Sequence, residues 1–97
     1  MTQSTEVTVS ENAEMTRYEA AAGADVVAGF AEYRDRDGVR VFTHTEVDDA
    51  FSGQGVASTL VRGAVHDVRE RGLRLHAECP FIKGWLDKHP EYADLQA

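Results

Sequence analysis

The stretch Phe51-Ser52-Gly53-Gln54-Gly55-Val56-Ala57 carries the strongest chemical signal in this chain. A β-branched run, Val39 to Val47, precedes it, and an amphipathic helical pattern, Val56 to Arg71, follows it. A glycine-rich turn from a strand into a helix leaves the first-turn amides without intrahelical partners. The helix dipole adds partial positive charge at the same place. Glycine also lets a ligand approach the backbone with no Cβ in the way. The main-chain N–H groups of Gly53, Gln54, Gly55, Val56, Ala57 and Ser58 are therefore expected to bind a phosphate-bearing cofactor, the alternative being a plain turn. Asp48 and Asp49 must then point away from it. A Rossmann fingerprint fails, because Ser58 stands at the third glycine position and no second strand–helix repeat follows. A P-loop fails for want of Gly-Lys-Ser/Thr.

Cys79 ends the last strand and immediately precedes Pro80, which suits the first position of a helix. A thiol at a helix N-terminus is drawn toward the reactive thiolate. A lone cysteine is also a common small buried hydrophobe. His44 lies on the strand entering the glycine loop. Strict alternation gives it the face of Arg40, Phe42 and Glu46, opposite Val39, Val41, Thr43, Thr45 and Val47. A histidine there is usually a structural partner or simply exposed. If the strands of His44 and Cys79 are parallel neighbours, contact is plausible, and the two could act as base and nucleophile or His44 could act as a general base alone, with Glu46 orienting it or serving as the base itself. His76 and Glu78 share a face of the last strand and are second-rank candidates. No Cys-x-x-Cys or His-x-x-x-His spacing occurs, so no metal site is expected. Phe81, Trp85 and Leu86 read as core. Lys83 and Lys88 could meet a nucleotide phosphate.

These residues need a frame. Met1 to Thr5 reads as a loose tail and 6–97 as one domain. Strands are expected over Glu6–Ser10, Met15–Ala20, Asp25–Arg34, Val39–Val47 and Leu73–Glu78. Asn12 and Ala21–Ala24 mark turns, and Asp35-Arg36-Asp37-Gly38 a hairpin. The first helix buries Ala57, Leu60, Val61, Ala64, Val65 and Val68, and Gly72 stops it. The second runs from Pro80 to before Pro90. The expected class is α/β (α+β in stricter usage): one mixed, mostly antiparallel sheet with two helices.

The chain has 97 residues, 42% hydrophobic and 28% charged, with net charge −7. That charge argues against nucleic acid and anionic membranes as partners. No run reaches the roughly 20 apolar residues that cross a bilayer, and the N-terminus lacks a signal-peptide pattern. With one cysteine there is no internal disulfide. A cytoplasmic location is the expectation.

Thr43-His44-Thr45-Glu46-Val47, Gly53-Gln54-Gly55-Val56-Ala57-Ser58, Cys79-Pro80-Phe81 and His89-Pro90-Glu91-Tyr92 together resemble the GNAT-type N-acetyltransferase superfamily. The likeness is to its short, single-domain branch of uncharacterised acetyltransferase-like proteins, and covers about Glu6 to Leu95. The superfamily's pyrophosphate loop has the form Arg/Gln-x-x-Gly-x-Gly/Ala. Gly55 and Ala57 match it, and Ser52 stands where Arg or Gln is usual, so binding rests on backbone amides. The resemblance implies a minimal acetyltransferase core that uses acetyl-CoA. It implies that the strand edge at Thr45 to Val47 would hydrogen-bond the pantetheine amides by strand addition. Tyr92 resembles the tyrosine that protonates the departing thiolate. Larger members carry an N-terminal strand and two helices that shape the acceptor pocket. Without them the acceptor site should be open.

The function implied is acyl transfer from acetyl-CoA to a small-molecule or peptide amine. His44 or Glu46 would take the proton, and Cys79 would receive the acetyl group transiently or only line the site. A CoA-binding module without turnover and a small interaction domain are the alternatives. A monomer or weak dimer is expected.

Overall fold

A computed structural model of the chain describes residues 6–23 and 26–97. The expected tail, and the turn and strand start expected at Ala24 and Asp25, lie outside the described residues. Five strands form one sheet in the order β1 (Thr8–Asn12), β2 (Arg17–Ala21), β3 (Val27–Arg36), β4 (Val39–Val47) and β5 (Arg74–Ala77). The first four pair antiparallel, and β5 joins β4 in parallel. Helix α1 (Val56–Glu70) makes the crossover, and α2 (Pro80–Asp87) follows β5. Two short 3-10 segments, Asp49–Phe51 and Pro90–Leu95, complete the chain and have no strong signal in the sequence.

The local chemistry explains the boundaries. β1 runs through Asn12, whose side-chain oxygen accepts the Met15 N–H and so turns the chain two residues later than the sequence suggests. Asp37 (φ 51°) and Gly38 (φ 81°) both sit left-handed and close the β3–β4 hairpin. Helix α1 buries Val56, Leu60, Val61, Ala64, Val65 and Val68. Ala57 is only half-buried, because the first turn looks toward the glycine loop. Gly63 lets α1 lie close on β1: a Cβ there would stand 2.8 Å from the Val9 side chain.

The buried side chains gather on one face of the sheet. Register places Tyr18 beside Ala31, Arg40 beside Leu75 and Phe42 beside Ala77, all buried. Both helices cover this inner face, with Ile82, Trp85 and Leu86 of α2 extending the core. On the outer face Arg17, Glu19, Phe30, Glu32, Arg34, Val41 and His76 are partly or fully exposed.

β4 departs from the expected faces. Glu32 pairs with His44, but Tyr33 pairs with Phe42, so Thr43 is an extra residue in β4. This bulge inverts the alternation. Before it, Arg40 and Phe42 face inward. After it, Thr45 and Val47 lie beside Ala31 and Gly29 on the inner side, and His44 and Glu46 face outward. His44 and Glu46 thus share a face with each other but not with Phe42.

Arg40 is the one buried charged side chain among the described residues. Its guanidinium grips both oxygens of Asp35 at 2.7 and 2.8 Å, and donates to Glu11 and to the Tyr18 hydroxyl. Tyr18 in turn donates to Asp67, and Arg71 ties Asp67 to Glu11. One polar network therefore joins all four antiparallel strands to α1.

Candidate active site

The end of the β4–β5 pairing defines the site. The ladder runs only from Val39–Arg74 to Phe42–Ala77. The Phe42 carbonyl then accepts two amides, Glu78 N–H at 2.9 Å and Cys79 N–H at 3.2 Å. Beyond that point β5 turns into α2, while β4 continues through Thr43–Val47 with no strand of the described residues on that side. A gap opens between the β4 edge and the start of α2. Asp48 N–H donates to Ala28 and the Glu46 carbonyl faces Gly29, both toward β3. By alternation, Thr45 and Val47 turn their main-chain groups into the gap.

The gap leads to the glycine loop. Gly53 and Gly55 both adopt φ 77°, a left-handed backbone that favours glycine. Gly55 is the N-cap of α1 and no side chain caps the helix. The first-turn N–H groups of Val56, Ala57 and Ser58 have no intrahelical acceptor. They border a cavity of about 320 Å³ that Val47, Phe51, Gly53, Gly55 and Phe81 also line. Asp48 points away, as required: its carboxylate caps the Asp49–Phe51 turn by accepting Ala50 N–H at 2.9 Å. The Gln54 side chain donates back to Ala50, leaving its main chain to serve the loop.

A second hollow of about 430 Å³ shares Ser58 and Phe81 with the first, and runs along α2 past Gly84 and Trp85 to Lys88 and His89. Its wall is held by the Trp85 indole N–H, which donates to the Ser58 hydroxyl at 3.1 Å. The His89 ring stacks on Trp85 at 3.8 Å. Phe81, read from sequence as core, is 44% exposed and lines both hollows. Phe81 lies on the outward side of α2, whose core side carries Ile82, Trp85 and Leu86.

Cys79 is the N-cap of α2, and its sulfur lies 3.3 Å from the Thr45 hydroxyl. Burial pushes the thiol pKa up. The Thr45 hydroxyl and the nearby main-chain N–H groups of Ile82, Phe81 and Thr45 favour the charged form, outweigh burial and hold it below the ordinary thiol value. The Thr45 side chain is thus a partner that sequence reasoning missed, since only its main chain had been singled out. The sign of its effect is testable. Thr45→Val removes a donor to the charged form, so the thiolate absorbance should titrate at higher pH than in the parent. Alkylation at neutral pH should slow several-fold. An unchanged or lower midpoint would refute the assigned hydrogen bond.

The structure does not join His44 to Cys79. β4 and β5 are parallel neighbours, but the bulge at Thr43 turns His44 outward while Cys79 lies inward with Thr45. His44 Nε2 meets Glu46 at 3.3 Å, both side chains more than half exposed. The base–nucleophile pairing is therefore corrected to two separate groups on opposite sides of the β4 edge. Tyr92 also lies elsewhere. Its hydroxyl pairs with His66 Nε2 at 2.8 Å and its ring packs on Trp85, pinning Pro90–Leu95 to α1. His76 and Glu78 are both exposed. Among the described residues no group of three His, Cys, Asp or Glu side chains could hold a metal. No described helix is long and apolar enough to cross a membrane.

The family model for the GCN5-related N-acetyl-transferases matches residues 17–95, which takes in the loop, the gap and both helices. The chain belongs to this family. Its fold is similar to the NMR structure of a GCN5-like candidate N-acetyltransferase from Staphylococcus aureus: TM-score 0.69, 27% identity, covering 99% of this chain and 91% of that one. Protein NATD1 of Xenopus tropicalis is 40% identical over 47 residues, 48% of this chain and 43% of that protein. Protein NATD1 of Homo sapiens is 38% identical over 47 residues, 48% and 42% respectively. The matched segment thus spans less than half the length of these relatives. Membership of the family supports acyl transfer in general.

Proposed function

We propose that the chain transfers an acetyl group from acetyl-CoA to an amine. One observation carries the reading: an unladdered strand edge at Thr45–Val47 leads directly to an uncapped helix N-terminus behind two left-handed glycines. The N–H groups from Gly53 to Ser58 would hold the pyrophosphate. The Thr45 carbonyl and the Val47 N–H would pair with the pantetheine amides. Phe81 and Lys88 flank the hollow that would take the nucleotide end.

Bound acetyl-CoA supplies an activated thioester carbonyl. The amine nitrogen forms a bond to that carbon as the carbon–sulfur bond breaks. His44, steadied by Glu46, takes the proton lost by the amine, and the thiolate leaves to be protonated by solvent. Cys79 lines the gap beside Thr45; in a two-step route its sulfur would take the acetyl group as the CoA thiolate leaves, and the amine would then displace the Cys79 sulfur.

Titration calorimetry with CoA, paired with acetyl-CoA consumption over an amine panel, tests this. Saturable binding and amine-dependent turnover are expected. Absence of both heat and thermal shift would remove it. A second reading, a CoA-binding module without turnover, draws on the separation of His44 from Cys79 and on the exposure of the His44–Glu46 pair. Binding without turnover would favour that reading.

A further inference from the structure

We propose that the outer face of the sheet carries the acceptor site, and that it selects a small amine that also bears a carboxylate, an amino-acid-like zwitterion. This rests on the acetyl-transfer reading above and names its acceptor class.

A hollow of about 450 Å³ lies on the face that neither helix covers, lined by Arg34, Asp35, Arg36, Val41, Thr43 and Glu78. Its position joins it to the gap. Thr43 is the bulge residue, two positions before Thr45, and Glu78 immediately precedes Cys79. The hollow therefore opens beside the point where β4 and β5 part. The His44–Glu46 pair stands on the same outer face, one residue beyond Thr43. A nucleophile held in the hollow would approach the gap from the side on which the proton acceptor lies.

The charges choose the ligand. No ion pair among the described residues engages Arg34, Arg36 or Glu78. Asp35 does not compensate them, since Arg40 takes both its oxygens from the inner side. Two open guanidinium groups against one open carboxylate make this a locally cationic hollow on a chain of net charge −7. The planar guanidinium matches a carboxylate in a two-point pair. Glu78, two strands away across the sheet, suits the ammonium end. Strands repeat at about 4.8 Å and residues at about 3.3 Å along a strand, and Arg34 lies level with Val41 while Glu78 lies level with Thr43, so the two rise from backbones roughly 12 Å apart, and both side chains line the hollow over Val41 and Thr43. That span fits one small zwitterion. A polyamine would meet the two arginines and be repelled.

The test uses the whole chain and matched probes: phenylalanine against phenethylamine, and alanine against ethylamine, followed by amide chemical shifts. This titration needs no acetyl-CoA. The amino acids should perturb Val41, Thr43 and Glu78 and bind about tenfold more tightly than the matched amines, the gain expected of a charged two-point pair. Arg34→Ala should erase that preference, Arg34→Lys should restore part of it, and Glu78→Gln should weaken both members of each pair. A melting curve confirms that each variant is folded. Equal binding of the pairs, no binding of either, or an Arg34→Ala variant that keeps the preference overturns the proposal. If acetyl-CoA still binds in that event, only the acceptor class falls. If acetyl-CoA fails to bind the parent chain, the function itself falls.

Discussion

An Arg40→Met variant is expected to melt roughly 12–24 °C below the parent chain, from a loss of about 3 kcal/mol at 4–8 °C per kcal/mol for a domain of this size. Removing one member of a buried charge network leaves its partners desolvated and unpaired, and that penalty exceeds the worth of the pair itself. Arg40 is 4% exposed and serves Asp35, Glu11 and Tyr18 at once. Because Asp35 and Asp67 retain some solvent contact, about 3 kcal/mol is the lower end of the range for such losses. Arg40→Lys keeps the charge without the fork and should fall between the two. A melting point within a few degrees of the parent in Arg40→Met would mean that the network contributes specificity rather than stability.

The same network fixes a pH dependence. The Arg40 guanidinium holds the Asp35 carboxyl below the usual carboxylate range. Burial pushes Asp67 up, but hydrogen bonds from Tyr18 and Arg71 outweigh this and hold it low as well. Carboxyls whose folded pKa is depressed stabilise the protein above their unfolded pKa, and lose that contribution as pH falls through the folded value. Parent stability should therefore decline in mild acid and steepen below it. Arg40→Met should show a shallower decline. At the alkaline end burial, with the Glu11 hydrogen bond, pushes the Tyr33 hydroxyl up to about 12. It stays protonated, and a donor to Glu11, across the neutral range.

Ala57→Glu is expected to separate stability from binding. A carboxylate in the first turn of α1 interacts favourably with the helix dipole and can cap its open amides, so the fold should gain about 0.3–1 kcal/mol. The same carboxylate would occupy the place proposed for the pyrophosphate and repel it. CoA affinity should drop about 100-fold, or about 2.7 kcal/mol. Calorimetry with CoA alongside a thermal melt reads both quantities from one preparation. Ala57→Lys is the charge control and should bind at least as well as the parent. Undiminished affinity in Ala57→Glu, with the melt confirming the fold, would place the anion elsewhere.

What could be read from the sequence follows from how local each determinant is. The glycine loop was legible because two glycines between a β-branched run and an amphipathic helix demand an unusual backbone, and Gly53 and Gly55 both adopt it. Cys79-Pro80 announced a helix start for the same kind of reason. The bulge at Thr43 was not legible. Val39 to Val47 alternates without a break, and only pairing to β3 on one side and the end of β5 on the other reveals the extra residue. The faces of His44, Thr45 and Glu46 all turned on it. Arg40 was equally silent. Its partners lie at positions 11, 18 and 35, brought together only when four strands align. Tyr92 matched a familiar tyrosine by rough position, yet its place depends on a 3-10 turn held by tertiary contacts with His66 and Trp85.

The mixed pairing of β4 has one more consequence. The four-stranded meander pairs nearest neighbours across short loops, whereas β5 joins β4 only across the crossover helix. The block from Arg74 onward is therefore expected to open as a unit ahead of the meander. Half of the gap belongs to each side of that seam: Thr45 and Val47 to the early half, Cys79 and Phe81 to the late one. A molecule bridging the seam would act as a clasp, suppressing amide exchange in the carboxy-terminal block far more than in the hairpins it leaves untouched.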